Sequence, residues 1–165
     1  MEINHGLPQE IDSIILIIRN AILKMDREGI HQWDEIYPSR ELISSDIAEG
    51  CLFAARIEEK IAGIFVLNEH QSPQYQSITW VDNVGKVLVV HRLCVSPAFQ
   101  GQGIAKEMMR FAEKYAVKNK YSSIRLDALS KNPISNGLYH ALGYQRRGNV
   151  SFIRGRINYC YEKVL

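Results

Sequence analysis

The sequence predicts a three-layer α/β domain, and three observations carry that expectation. Short β-branched runs alternate with amphipathic stretches, the length suits one hydrophobic core, and no repeat, low-complexity tract or linker interrupts the chain. The 165 residues are 46% hydrophobic and 23% charged, a globular balance, and 1–165 reads as a single domain.

Each element follows from local pattern. Ile11, Ile14, Ile15, Ile18 and Ile22 recur at helical spacing, so residues 10–25 read as an amphipathic helix closed by Gly29. Pro38 opens a second, shorter helix over 39–49. "CLFAARIEEKIAGIFVLNE" reads as two strands around a tight turn at Glu58-Glu59. Residues 70–85 are polar and irregular but carry Tyr75 and Trp80; a loop of that length inside a compact domain points to function, and it is expected to form part of a lid. "KVLVVHRLCV", residues 86–95, is apolar on both faces and is placed centrally.

Ile104, Met108, Phe111, Ala112 and Tyr115 share one face of a helix over 103–119. "SSIRLDAL" is a further strand, and "NPISNGLYHALGY" a short helix with Pro133 near its start and Gly143 after its end. Residues 145–165 read as a hairpin turning at 154–155. With a short strand before Leu7 the order is β–α–α–β–β–β–α–β–α–β–β.

Charge and cysteine usage exclude several classes. A net charge of +2 with scattered Lys and Arg argues against a nucleic-acid partner. Cys51, Cys94 and Cys160 lie far apart with no metal-ligand spacing, so no metal is expected, and the odd count fits a reducing cytoplasm. "SIILII" is too short and too charged at its flanks for a signal peptide or a membrane span, so no membrane partner is expected. Monomer and homodimer both stay open.

"VSPAFQGQGIAKEMM", residues 95–109, places Gly101 and Gly103 between a strand and a helix. Free N–H groups at a helix N-terminus attract anions, and glycine lets a phosphate approach the backbone. The pair taken alone is equally a turn. A dinucleotide fingerprint needs Gly or Ala where Lys106 stands, and the Walker pattern is absent.

Gln100-x-x-Gly103-x-Ala105 after "HRLCVSP" resembles the acetyl-coenzyme A signature of the GNAT superfamily of N-acetyltransferases. "NPISNGLYHALGY" resembles that family's second motif, with Ser135 where Ala is common. The resemblance spans the chain and implies a GNAT-type α/β/α domain whose mixed sheet has splayed central strands, with acetyl-coenzyme A as co-substrate. It implies that backbone N–H groups of Gln100, Gly101, Gln102, Gly103, Ile104 and Ala105 hold the pyrophosphate. The pantetheine arm would pair with the strand edge at Leu93 and Val95, and a main-chain N–H at Leu93 or Cys94 would polarise the thioester carbonyl. Asn132 resembles the residue that bonds the cofactor arm, and Tyr139, which the resemblance also places against the cofactor, the general acid that protonates the leaving thiolate.

The chemistry needs a neutral amine, a polarised carbonyl and a proton for the thiolate. Val89 stands where the family's histone-modifying members carry Glu, so that base is missing. His91 and Asp127 are the candidates nearby; their structural alternatives are a satisfied core histidine and an ion pair with a residue such as Arg125. The acceptor, a small amine or peptide, is expected against Trp33, Glu35, Tyr37 and Trp80, with Gln32, Asp34, Glu69 and Tyr75 near them. Trp33 and Tyr37 equally suit a staple between the first two helices. Cys94 lies in a packed strand, which disfavours a covalent acetyl-enzyme. The leading reading is an acetyl-coenzyme A dependent N-acetyltransferase acting by direct transfer in a ternary complex. The alternatives are a non-catalytic acyl-coenzyme A sensor and a transferase that uses another acyl donor.

Overall fold

The computed structural model describes residues 1–152 and 155–165. Seven strands and four helices follow the expected order: β1 (Glu2–His5), α1 (Ile11–Arg27), α2 (Arg40–Ala48), β2 (Leu52–Ile57), β3 (Lys60–Asn68), β4 (Val87–Val95), α3 (Ile104–Lys118), β5 (Ser123–Leu129), α4 (Pro133–Ala141), β6 (Gln145–Ser151) and β7 (Ile157–Val164). Ser39, not Pro38, caps α2, its hydroxyl accepting from Leu42 N–H at 3.2 Å. The β2–β3 turn falls at Glu58 and Glu59, both at positive φ (47° and 65°), the two-residue geometry whose twist matches the flanking strands. The β6–β7 hairpin forms, but residue 154 of its expected turn lies outside the described residues.

The strands make one sheet in the order β1-β2-β3-β4-β5-β7-β6. The β4–β5 pair is parallel, whereas β1–β2, β2–β3, β5–β7 and β6–β7 are antiparallel, so the sheet is mixed. The β4–β5 ladder runs only from Val87 opposite Ser123 to Val89 opposite Arg125. Meanwhile β5 stays paired with β7 along its whole length, from Ser123 to Leu129. This early end of the ladder is the predicted splay.

Two compact units share the chain: residues 1–67 with 92–111, and residues 68–91 with 112–165. In the first, the α1 stripe of Ile14, Ile15, Ile18 and Ala21 packs with Ile43 and Ile47 of α2, Leu52 and Ala54 of β2, and Ile64 and Val66 of β3. Phe53, Phe65 and Phe111 add an aromatic cluster with centroids 5.4–6.0 Å apart. In the second, Tyr75, Trp80, Val89, Val150 and Cys160 form the core, so the loop before β4 is packed into it. No helix among the described residues is long and apolar enough to cross a membrane.

Candidate active site

In the first unit, the end of β4 is tied to β3 by Ser96 N–H donating to Ala62 O at 2.8 Å. After a 3-10 turn over Pro97–Phe99, the Gln100 amide donates back to Val95 O at 3.1 Å, while Lys24 of α1 donates to the Gln100 side-chain oxygen. Gly101 and Gly103 have φ of +78° and +79°, which only glycine adopts freely, and a Cβ on either would meet nothing within 4 Å. The backbone bonding of α3 begins with Glu107 N–H to Gly103 O at 3.1 Å. The N–H groups of Gly103, Ile104, Ala105 and Lys106 therefore precede the first helical bond, at the positive end of the helix dipole. Open space, free N–H groups and the nearby Lys24 ammonium suit a bound pyrophosphate.

Leu93, Cys94 and Val95 lie on β4 as expected. Burial pushes the Cys94 thiol up to about 12, which keeps it protonated at neutral pH and disfavours it as a nucleophile. Its side chain belongs to the core.

Among the acceptor candidates of this unit, Trp33 is buried in the α1–α2 core, the stapling position, whereas Glu35 is exposed. Tyr37 is 42% exposed, and its hydroxyl accepts from Arg92 at 3.3 Å. Arg92 also pairs with Asp46 at 2.7 Å, both side chains nearly buried. Asp46 Oδ2 and Arg92 Nε, by contrast, are buried with no partner among the described residues. Arg92 sits at φ +52° in the middle of β4, a backbone kink directly before Leu93. Burial raises the Asp46 carboxyl, and Arg92 counters this only in part.

In the second unit, Asp127 is the hub. Its two oxygens accept from the Tyr75 hydroxyl and the Asn158 amide, each at 2.6 Å. Both donors are neutral, and no cation pairs with Asp127 among the described residues. The structural alternative, an ion pair with Arg125 or another basic neighbour, is not found among the described residues, and Arg125 bonds Glu162 at 3.3 Å instead. Burial raises the Asp127 carboxyl above the ordinary carboxylate range, and the two hydrogen bonds oppose that shift.

Tyr139 is buried, its ring 6.0 Å from Tyr144 and 5.7 Å from Tyr161. Burial first, and the Asp127 charge second, push its phenol well above the ordinary tyrosine value. Its hydroxyl has no hydrogen-bond partner among the described residues, so its proton is not committed elsewhere. Asn132 caps α4 by accepting from Ser135 N–H at 3.1 Å, a structural duty alongside the one the resemblance implies. His91 Nε2 lies 3.0 Å from both Asn68 Oδ1 and His70 O, two acceptors, so that nitrogen carries the proton. Trp80 is buried, its indole N–H on Tyr75 O at 3.0 Å and its ring under the Arg125 guanidinium at 4.2 Å.

Asp127, Tyr75 and Trp80 thus meet in one hydrogen-bonded core with Tyr139 in electrostatic reach, whereas Trp33 and Glu35 join neither polar cluster. Sequence reasoning passed over Lys24, Asp46, Arg92 and Glu162. Glu162 is fully buried, bound by Arg125, by Arg147 at 3.1 Å, and by the backbone of Val81 and Asp82. None of these pairings has a local signature, since their partners stand 15 to 81 positions apart. The one available signal was a charged residue inside an apolar strand, which Arg92, Arg125 and Glu162 all show.

Residues 20–144 match the acetyltransferase (GNAT) family. The chain is 27% identical over 135 residues to the uncharacterized N-acetyltransferase YesJ of Bacillus subtilis, covering 81% of this chain and 74% of that protein. An acetyltransferase of the GNAT family from Streptococcus agalactiae superposes with a TM-score of 0.87 at 28% identity, covering 99% of this chain and 95% of that one. The PaiA N-acetyltransferase of Thermoplasma acidophilum, solved in complex with coenzyme A, shares the fold with a TM-score of 0.73 at 17% identity, covering 99% and 98%.

Proposed function

The chain belongs to the acetyltransferase (GNAT) family, and from that premise we propose that it moves the acetyl group of acetyl-coenzyme A to a primary amine by direct attack in a ternary complex. The observation that carries this reading is the entrance to α3, where two left-handed glycines leave open space before four N–H groups without helical acceptors. Acetyl-coenzyme A would supply the activated thioester. Backbone N–H groups over 100–105 hold its pyrophosphate, and Lys24 adds positive potential there.

The remaining duties fall to β4 and α4. A main-chain N–H at Leu93 or Cys94, following the Arg92 kink, donates to the thioester carbonyl oxygen and stabilises the charge that develops on it by about 3 kcal/mol. The Tyr139 hydroxyl gives its proton to the departing sulfur. Its raised pKa keeps that proton on the phenol at neutral pH, so the group is in its acid form when the sulfur departs. Asp127, oriented by the hydrogen bond from the neutral Tyr75 hydroxyl, supplies negative potential for an amine, which loses its proton to water before attack.

A panel of amines incubated with acetyl-coenzyme A, read as free thiol released, tests the reading. Acceptor-dependent thiol release is expected. Tight coenzyme A binding without release over the whole panel would leave a sensor in place of an enzyme.

A further inference from the structure

The loop before β4 lines an open cavity of about 460 Å³ with Gln71, Ser72, Tyr75, Gln76, Trp80 and Arg125, and Pro73, Ile78 and Asn83 complete the wall. That volume lies in the ordinary range for small-molecule pockets. Arg125 is 5% exposed, so a cation is buried in the wall. Its Nε–H donates to Glu162 at 3.3 Å, one Nη1–H to Gln71 Oε1 at 2.7 Å, and one Nη2–H to Asp82 O. A guanidinium has five N–H donors, so two remain without a partner among the described residues. Trp80 covers one face of the guanidinium, and Arg125 lines the cavity.

Charge points the same way. Arg125 and Arg147 share a single carboxylate, Glu162, leaving one positive charge in excess. The Asp82 carboxylate does not neutralise it, being turned to Ser122 and to the Gly85 N–H. The opposite polarity stands two residues further along the same strand. Asp127 shares the Arg125 face of β5, about 7 Å away along the chain, and has no cationic partner among the described residues. Tyr75 joins the two, lining the cavity while its hydroxyl bonds Asp127.

We propose that this cavity binds the carboxylate of the acceptor through the Arg125 guanidinium, so that the acceptor is a small amino acid rather than a plain amine. The proposal rests on the reading of the chain as an amine acetyltransferase. The anionic end pairs with the Arg125 edge, the polar groups of Gln71, Ser72 and Gln76 bond what projects beyond it, and the cationic end turns toward Asp127.

Matched acceptors test it: glycine, 3-aminopropanoate and 4-aminobutanoate against methylamine, ethylamine and propylamine. The carboxylated member of each pair is expected to have at least tenfold higher kcat/KM. Arg125→Gln removes the charge but disturbs the Glu162 network. Gln76→Glu is therefore used beside it, since it puts a negative charge at an exposed position on the cavity wall. It should cut the preference at least fivefold. Equal kcat/KM within pairs, or a preference untouched by Gln76→Glu, overturns the proposal and leaves the transferase reading standing.

If no amine is acetylated, the transferase reading fails on its own and binding still decides the cavity. The chain has two tryptophans, so Trp33→Phe leaves Trp80 as the single reporter in the cavity. A saturable fluorescence change with 4-aminobutanoate, absent with propylamine and weakened by Gln76→Glu, supports the site. A flat titration overturns it.

Discussion

Tyr139 combines a buried ring with a hydroxyl that bonds nothing among the described residues, and this separates its packing from its chemistry. Tyr139→Phe keeps the ring contacts and leaves no partner unsatisfied, so the melting temperature should stay within a degree or two. The rate should not: kcat is expected to fall about 100-fold or more, the usual scale for a lost general acid, with coenzyme A affinity nearly unchanged. Normal kcat in a folded variant would remove the phenol from the mechanism. Asp127 makes a different demand. Its folded pKa is raised, mainly by burial, so the folded state holds that proton more tightly than the unfolded chain. The resulting stability is fully present below the unfolded pKa of about 3.9 and is lost as pH rises through the folded value. Asp127→Asn cannot ionise and escapes that loss. The melting temperature of the variant minus that of the parent should therefore grow as pH rises from 4 and then level off. Any change in hydrogen bonding adds only a constant offset, so a difference flat with pH would show that Asp127 does not titrate as described.

The element that matters most is the passage from β4 through the glycine loop into α3. Gly103→Val has two separable effects there. Propensity alone would let the helix survive at under ~1 kcal/mol, but φ of +79° adds strain of about 1–2 kcal/mol. A loss of about 2–8 °C in melting temperature is expected at this chain length. The Cβ also enters space that is otherwise open, and if a pyrophosphate lies there coenzyme A affinity should fall several-fold or more by calorimetry. Unchanged affinity in a folded variant would place the phosphates elsewhere. This passage was legible in the sequence because every signal in it is local: a β-branched run, Ser96-Pro97, two glycines and a helical stripe. The β2–β3 turn was legible too, although Glu58 and Glu59 are poor residues for positive φ, because the apolar runs on both sides left only two positions for it. The loop over 70–85 was read as polar and irregular, yet Tyr75 and Trp80 are core and Glu162 pins Val81 and Asp82. Its partners come from β5 and β7, whose positions no local pattern encodes. The Arg92–Asp46 pair escaped for the same reason, and the Arg92 kink carries no sequence mark because the residue is not glycine.

Over the whole molecule, the residues of the proposed chemistry divide by chain position. The phosphate loop and the β4 N–H groups lie within 92–111, and Tyr139, Asn132 and Asp127 within 112–165. A ligand that binds only the folded chain raises its stability by an amount that depends on affinity and not on which residue does chemistry. At a concentration 100 times its Kd, coenzyme A should add about 2.7 kcal/mol, which at about 2–4 °C per kcal/mol gives a shift of about 5–10 °C. Three preparations then sort the roles. The parent and Tyr139→Phe should show the same shift, because the hydroxyl is assigned to the reacting sulfur and not to holding the cofactor. Gly103→Val should show less, by about 1.4 kcal/mol for each tenfold loss of affinity, measured from its own lowered starting temperature. An equal shift in Gly103→Val would detach the pyrophosphate from the glycine loop. A shift lost in Tyr139→Phe would make the phenol a binding group for the cofactor, whatever its part in the proton transfer.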